Sequence, residues 1–79
     1  MSIPEIRIET SQPGMIAAID GGGQVMVRAQ RHVGQRKWSV LVNTSPRKLP
    51  DMMTATGDEQ LVGNLVQLLV DGIDARGWH

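Results

Sequence analysis

The feature that most constrains this chain is a change of hydrophobic period partway along it. From residue 5 to residue 43 apolar and polar residues alternate in short runs separated by turn residues. From residue 56 onward the apolar residues recur at helical spacing instead. Period two is the signature of a half-buried strand, and a period near 3.6 that of a helix packed on one side. Strands followed by one helix predict an α+β domain.

The strands can be read one at a time. "EIRIET" alternates, and "SQPG" reads as a turn. "MIAAI" is a second strand, and "DGGG" supplies two central glycines for a tight hairpin. "QVMVRAQ" and "KWSVLVN" are the third and fourth strands, joined through "RHVG", where Gly34 suits a left-handed conformation. Residues opposite each other in a hairpin share a face. The pattern therefore pairs Ala18 with Val25 and Ile16 with Val27, then Val25 with Val40 and Val27 with Trp38. A slip of one residue would mix the faces. The expected inner face holds Ile6, Ile8, Ile16, Ala18, Val25, Val27, Trp38 and Val40.

The stretch "NTSPRKLPDMMTATG" has two prolines and mixed turn residues, and reads as a crossing loop. The segment 56–79 reads as the helix. Thr56 and Glu59 have capping-box spacing, and Arg76 suits the negative helix end. Leu61, Val62, Leu65, Leu68, Leu69, Gly72 and Ile73 form the expected buried stripe. Gly77 is the expected terminating residue, with Trp78 folding back on the last turn. Gly63 and Gly72 each cost about 1 kcal/mol relative to alanine, which close approach to the sheet would offset. The expected architecture is one domain over residues 1–79: a four-stranded antiparallel meander (β-β-β-β-α) with a long C-terminal helix on one face.

With 79 residues and no cysteine, the core must be built without disulfides, and thiolate metal sites are excluded. No stretch approaches the roughly 20 apolar residues of a membrane span. The opening "MSIPEIRIETSQ" lacks a basic start and an apolar run, so the sequence predicts no signal peptide and a cytoplasmic protein.

The net charge is zero, yet residues 21–50 hold six basic side chains and no acidic one. They are Arg28, Arg31, Arg36, Lys37, Arg47 and Lys48. The expected outer face of the sheet carries Glu5, Arg7, Glu9, Met15, Ala17, Ile19, Met26, Arg28, Lys37, Ser39 and Leu41, with Arg28 opposed to Lys37. Arg31, His32 and Arg36 gather at one hairpin tip. Apolar area rimmed by charge marks an interaction site. Methionine adapts to a partner, and arginine forks onto carboxylate or phosphate. The candidate protein-binding residues are therefore Met15, Met26, Arg28, Arg31, Arg36 and Lys37. Lysine and arginine on exposed strands also serve as edge protection and aid solubility.

Catalytic chemistry finds little support. His32 and His79 have no nucleophile or orienting carboxylate at a recognisable spacing, and two distant histidines make no zinc site. "DGGGQ" lacks the lysine and following helix of a phosphate loop. No catalytic residue, metal or cofactor is expected. Two readings remain: a non-catalytic protein-binding inhibitor or adaptor, and a nucleic-acid-binding accessory protein using the basic 28–37 hairpin. A single-strand reader adds exposed aromatics, and here the only two are Trp38, expected inward, and Trp78.

In size, in its strand-rich build with one long helix, and in its lack of catalytic residues, the chain resembles the small phage-encoded anti-CRISPR inhibitors. The resemblance implies a protein working in the host cytoplasm. It would dock on a host complex such as a CRISPR effector and block its nucleic-acid binding. The basic 28–37 hairpin would then meet an acidic protein surface. Alternatively the acidic helix residues Asp58, Glu59, Asp71 and Asp74 would enter a groove that holds nucleic acid. Whether the chain acts as a monomer or a homodimer stays open at this stage.

Overall fold

The computed structural model describes residues 6–10, 12–44 and 49–76. Five strands and one helix follow in chain order: β1 (Arg7–Glu9), β2 (Met15–Ile19), β3 (Val25–Arg31), β4 (Lys37–Val42), β5 (Asp51–Thr56) and α1 (Glu59–Arg76). The strands form one antiparallel sheet in sequence order, and α1 packs over β2 and β3. The α+β class with a meander and a C-terminal helix is as the sequence predicts. The strand count is not: β5 occupies the stretch expected to be a crossing loop. Its side chains explain why. Asp51, Met53 and Ala55 share one face and Met52, Thr54 and Thr56 the other, so neither face is marked as apolar.

Both expected registers slide by an even number of residues, which keeps the face assignments except at Val25 and Met26, where Val25 pairs with Ile19 of the open face. In the β2–β3 hairpin Ile16 pairs with Ala29 and Ala18 with Val27. The turn is longer than two glycines. Asp20 donates its N–H to the Gln24 carbonyl at 3.0 Å, and its own carbonyl accepts from Gly23 at 3.1 Å. Its carboxylate accepts from the Gly22 and Gln24 N–H groups, each at 2.9 Å. Gly23, at φ +84°, takes the left-handed position that closes a three-residue loop. In the β3–β4 hairpin Val27 pairs with Val42, Ala29 with Val40 and Arg31 with Trp38. Pairing continues to His32, whose N–H donates to the Lys37 carbonyl, so the turn lies further along than the sequence suggests.

One irregularity reorganises β3. Ala18 pairs with Val27 but Ile19 pairs with Val25, which leaves Met26 as an extra residue. Such a bulge lets two successive side chains face the same way. Met26 and Val27 are both fully buried. The assignment of Met26 to the outer face is therefore corrected: it belongs to the core. Asn43 holds the distortion. Its N–H donates to the Met26 carbonyl at 2.8 Å and its side-chain amide to the Val25 carbonyl at 2.7 Å.

The core joins Ile16, Ala18, Met26, Val27, Ala29, Trp38, Val40 and Val42 to Val62, Val66, Val70 and Ile73 of α1. Ala18 and Ala29 are the small residues of the two strands beneath the helix, which lets α1 lie close. Of the expected stripe Val62 and Ile73 are buried, and Val66 and Val70 complete it where the sequence predicts leucines. Leu65 and Leu69 are half-buried, whereas Leu61 and Leu68 are 57% and 70% exposed. The apolar sector of α1 is wider than the strip that faces the sheet, and periodicity alone cannot say which edge of it stays outside. Gly63 and Gly72 are not explained by close packing either. A Cβ on Gly63 would meet Ile16 at an ordinary 3.8 Å, and one on Gly72 would meet nothing within 4 Å.

The helix start also differs from the expected Thr56–Glu59 box. Asp58 is the cap, its carboxylate accepting from the Leu61 N–H at 2.9 Å. Glu59 reaches across to accept from the Gly14 N–H at 3.1 Å, tying the β1–β2 turn to the helix. The expected cap at Gly77 and Trp78 lies outside the described residues. No helix among the described residues is long and apolar enough to cross a membrane.

Candidate binding face

The helix covers one face of the sheet, and no described element covers the other. Side chains on that open face fall into rows set by the register. Glu9, Ala17, Arg28, Leu41 and Met52 form one row, and Met15, Gln30, Ser39 and Thr54 the next. Lys37 and Thr56 continue beyond it, and Arg7 and Ile19 lie on the far side. Met15, Ala17, Ile19 and Leu41 are half-buried by their neighbours, while Met52 is 65% exposed.

Across β2 to β5 this face carries Arg28 and Lys37 and no carboxylate. On β1, Glu9 is matched by Arg7 at 3.8 Å, an exposed pair of little energetic weight. The acidic residues Asp58, Glu59, Asp71 and Asp74 belong to α1 and its start, on the other side of the sheet. Among the described residues the open face from β2 to β5 is basic, while α1 and its start carry four carboxylates against Arg76.

The predicted binding residues separate accordingly. Met15, Arg28 and Lys37 share the open face. Arg28 stands opposite Leu41, and Lys37 opposite Thr56, so the expected Arg28–Lys37 pair does not form. Four residues of β4 part their levels, about 14 Å at strand spacing. That distance removes the like-charge penalty and spreads two cations across the patch. Met26 is in the core. Arg31 lies on the helix side of β3, opposite Trp38, and its N–H donates to the Gly14 carbonyl at 2.8 Å. Gly14 sits at φ +76°, a left-handed conformation that side chains rarely adopt. Arg36 is exposed in the β3–β4 loop. Glu5, Arg47, Lys48 and His79 lie outside the described residues.

At the hairpin tip a shallow hollow of about 290 Å³ is lined by Gln30, Arg31, His32, Val33 and Ser39. His32 Nε2 lies 2.7 Å from Ser39 Oγ. A serine nucleophile needs a base that is itself held by a third group. Among the described residues no carboxylate bonds to His32, and the pair lies exposed on the strand ends. It is a cross-strand polar contact. Among the described residues no group of three or more His, Cys, Asp or Glu side chains could hold a metal ion.

Sequence reasoning missed two residues that shape this face, Met52 and Asn43. Leu41 is expected on it, but it becomes the neighbour of Arg28 only through the observed register, and Met52 joins them through the fifth strand. Asn43 carries no periodic signal, yet it fixes the bulge that takes Met26 out of the patch. Comparison with known proteins adds no relative to this geometry: no protein-family model, no curated protein and no solved structure matches the chain.

Proposed function

We propose that this chain is a non-catalytic binding protein that docks on another protein through the open face of its sheet. The observation that supports it is an uncovered face whose apolar middle (Met15, Ala17, Ile19 and Leu41) is joined to Arg28 and Lys37, with no carboxylate from β2 to β5. Apolar contact would supply affinity. The two cations would select an acidic surface and speed encounter with it. In its size and build the chain resembles small phage inhibitors, which puts a host complex such as a CRISPR effector first among partners. There the protein would cover a protein contact and block nucleic-acid binding. A basic face does not imitate nucleic acid, so the mode is occlusion of an acidic protein surface.

The alternative, direct nucleic-acid binding, is less supported on this face. Cations would contact phosphates, but base stacking needs exposed aromatic rings, and Trp38 is buried. The test is capture of partners from host lysate, with and without nuclease and at two salt concentrations. The wild type is compared with an Arg28→Glu, Lys37→Glu double variant. Docking through this face predicts a nuclease-resistant protein complex that the double variant loses while its circular dichroism is unchanged. Nuclease-sensitive recovery that falls steeply with salt would support the nucleic-acid reading instead. Undiminished capture by the variant would sink both uses of this face.

A further inference from the structure

The two edges of the sheet are unlike each other. β1 has three residues, two of them charged, and a short charged edge resists pairing with another strand. β5 has six residues, and from Met52 to Thr56 it carries no charge, no proline and no bulge. Among the described residues nothing flanks its outer side. Methionine is exposed on both of its faces, Met52 at 65% and Met53 at 40%. Natural sheets rarely leave such an edge bare, because its unpaired backbone groups are a template for one more strand.

We infer that β5 pairs antiparallel with β5 of a second copy, making a two-fold dimer with a continuous ten-stranded sheet. The strand is suited to itself. Two identical antiparallel strands keep their faces matched only when the two-fold axis passes through a residue, which here is Met53 or Thr54. The axis at Met53 sets Met53 against Met53, Met52 against Thr54 and Asp51 against Ala55. The axis at Thr54 sets Thr54 against Thr54, Met53 against Ala55 and Met52 against Thr56. Neither register opposes like charges, the arrangement that would destabilise such a pair. With Asp51 its one charge, at the end, the strand also offers little that would select a charged foreign segment over its own copy. The axis is perpendicular to the sheet, so both basic faces point the same way. A dimer would present two docking patches to one partner, although the pairing itself does not depend on that reading.

The chain has no cysteine, which makes the test direct. Residues on the axis have Cα atoms about 5 Å apart, within disulfide reach. Single variants Met53→Cys and Thr54→Cys are oxidised, with Gln67→Cys on the exposed helix side as control. Pairing predicts a covalent dimer in high yield from Met53→Cys or Thr54→Cys and none above background from Gln67→Cys. A pairing this small lies at the low end of interface sizes, so sedimentation equilibrium is run up to ~100 µM. The wild type is expected at twice the chain mass, and Thr54→Lys, a substitution at an exposed position, at the chain mass with unchanged circular dichroism. A wild type that stays monomeric overturns the inference. So does a dimer that neither cysteine variant traps, since it must then use another surface. Capture of a foreign strand on β5 by a monomeric chain would assign the edge to that partner instead.

Discussion

The indole Nε1 of Trp38 donates a 3.0 Å hydrogen bond to the carbonyl of Gly57, joining the centre of the sheet to the corner where β5 turns into α1. Gly57 has φ +150° and donates its own N–H to the Arg36 carbonyl at 3.0 Å. The corner is thus held through both peptide groups that flank Gly57. A Cβ at Gly57 would lie 3.1 Å from Leu61 Cδ1, in a backbone conformation that other residues rarely adopt. Gly57→Ala is expected to destabilise the fold by about 1–3 kcal/mol, the usual cost of a strained backbone position. Trp38→Phe leaves the buried Gly57 carbonyl without its donor and should cost about 1–3 kcal/mol for that alone. Denaturant titration of both variants checks the corner. Wild-type stability in Trp38→Phe would mean that the bond contributes nothing.

Asn43 offers a sharper test of how the sheet is organised. Its side-chain amide and its backbone N–H serve neighbouring carbonyls at the Met26 bulge. Asn43→Ala removes only the side-chain bond, and the expected loss is about 1–2 kcal/mol. Amide exchange at β3 should accelerate more than at the middle of α1. Uniform acceleration across both elements would instead mean that Asn43 acts on global stability with no particular hold on the bulge.

The two apolar stripes of α1 should respond differently to truncation. Ile73→Ala, in the buried stripe, is expected to cost about 2–5 kcal/mol. Leu68→Ala, on the exposed flank, should stay within about 0.5 kcal/mol in the monomer. Leu65→Ala falls between these, because the residue is only half-buried. A large loss at Leu68 in dilute protein would place the leucine flank in the core and contradict the valine stripe.

Gly72 is a site where the fold can be improved. It lies inside α1, is exposed, and has no atom within 4 Å of the place its Cβ would occupy. Gly72→Ala is expected to stabilise the protein by about 1 kcal/mol through helix propensity. The denaturation midpoint should rise with no change in the slope of the transition. A fall in the midpoint would show that this part of the helix is more crowded than its geometry allows.

Periodicity alone determined that this chain alternates as strands and then winds as a helix, and which side chains of the first four strands share a face. The faces survived two wrong registers because hairpins can slide by even steps without turning a side chain over. Ile16, Ala18, Val27, Trp38 and Val40 could therefore be placed in the core before their partners were known. Tertiary structure alone decided the rest. Whether "DMMTAT" is a strand depends on β4 offering it a free edge, since both of its own faces look alike. Met26 turns inward only because the bulge, held by Asn43 from the end of β4, breaks the alternation locally. The helix buries valines and leaves Leu61 and Leu68 outside because the sheet covers one part of an apolar sector wider than itself. Local sequence encodes a period and a face. Which strand meets which edge, and which flank meets water, are settled by contacts between residues far apart in the chain.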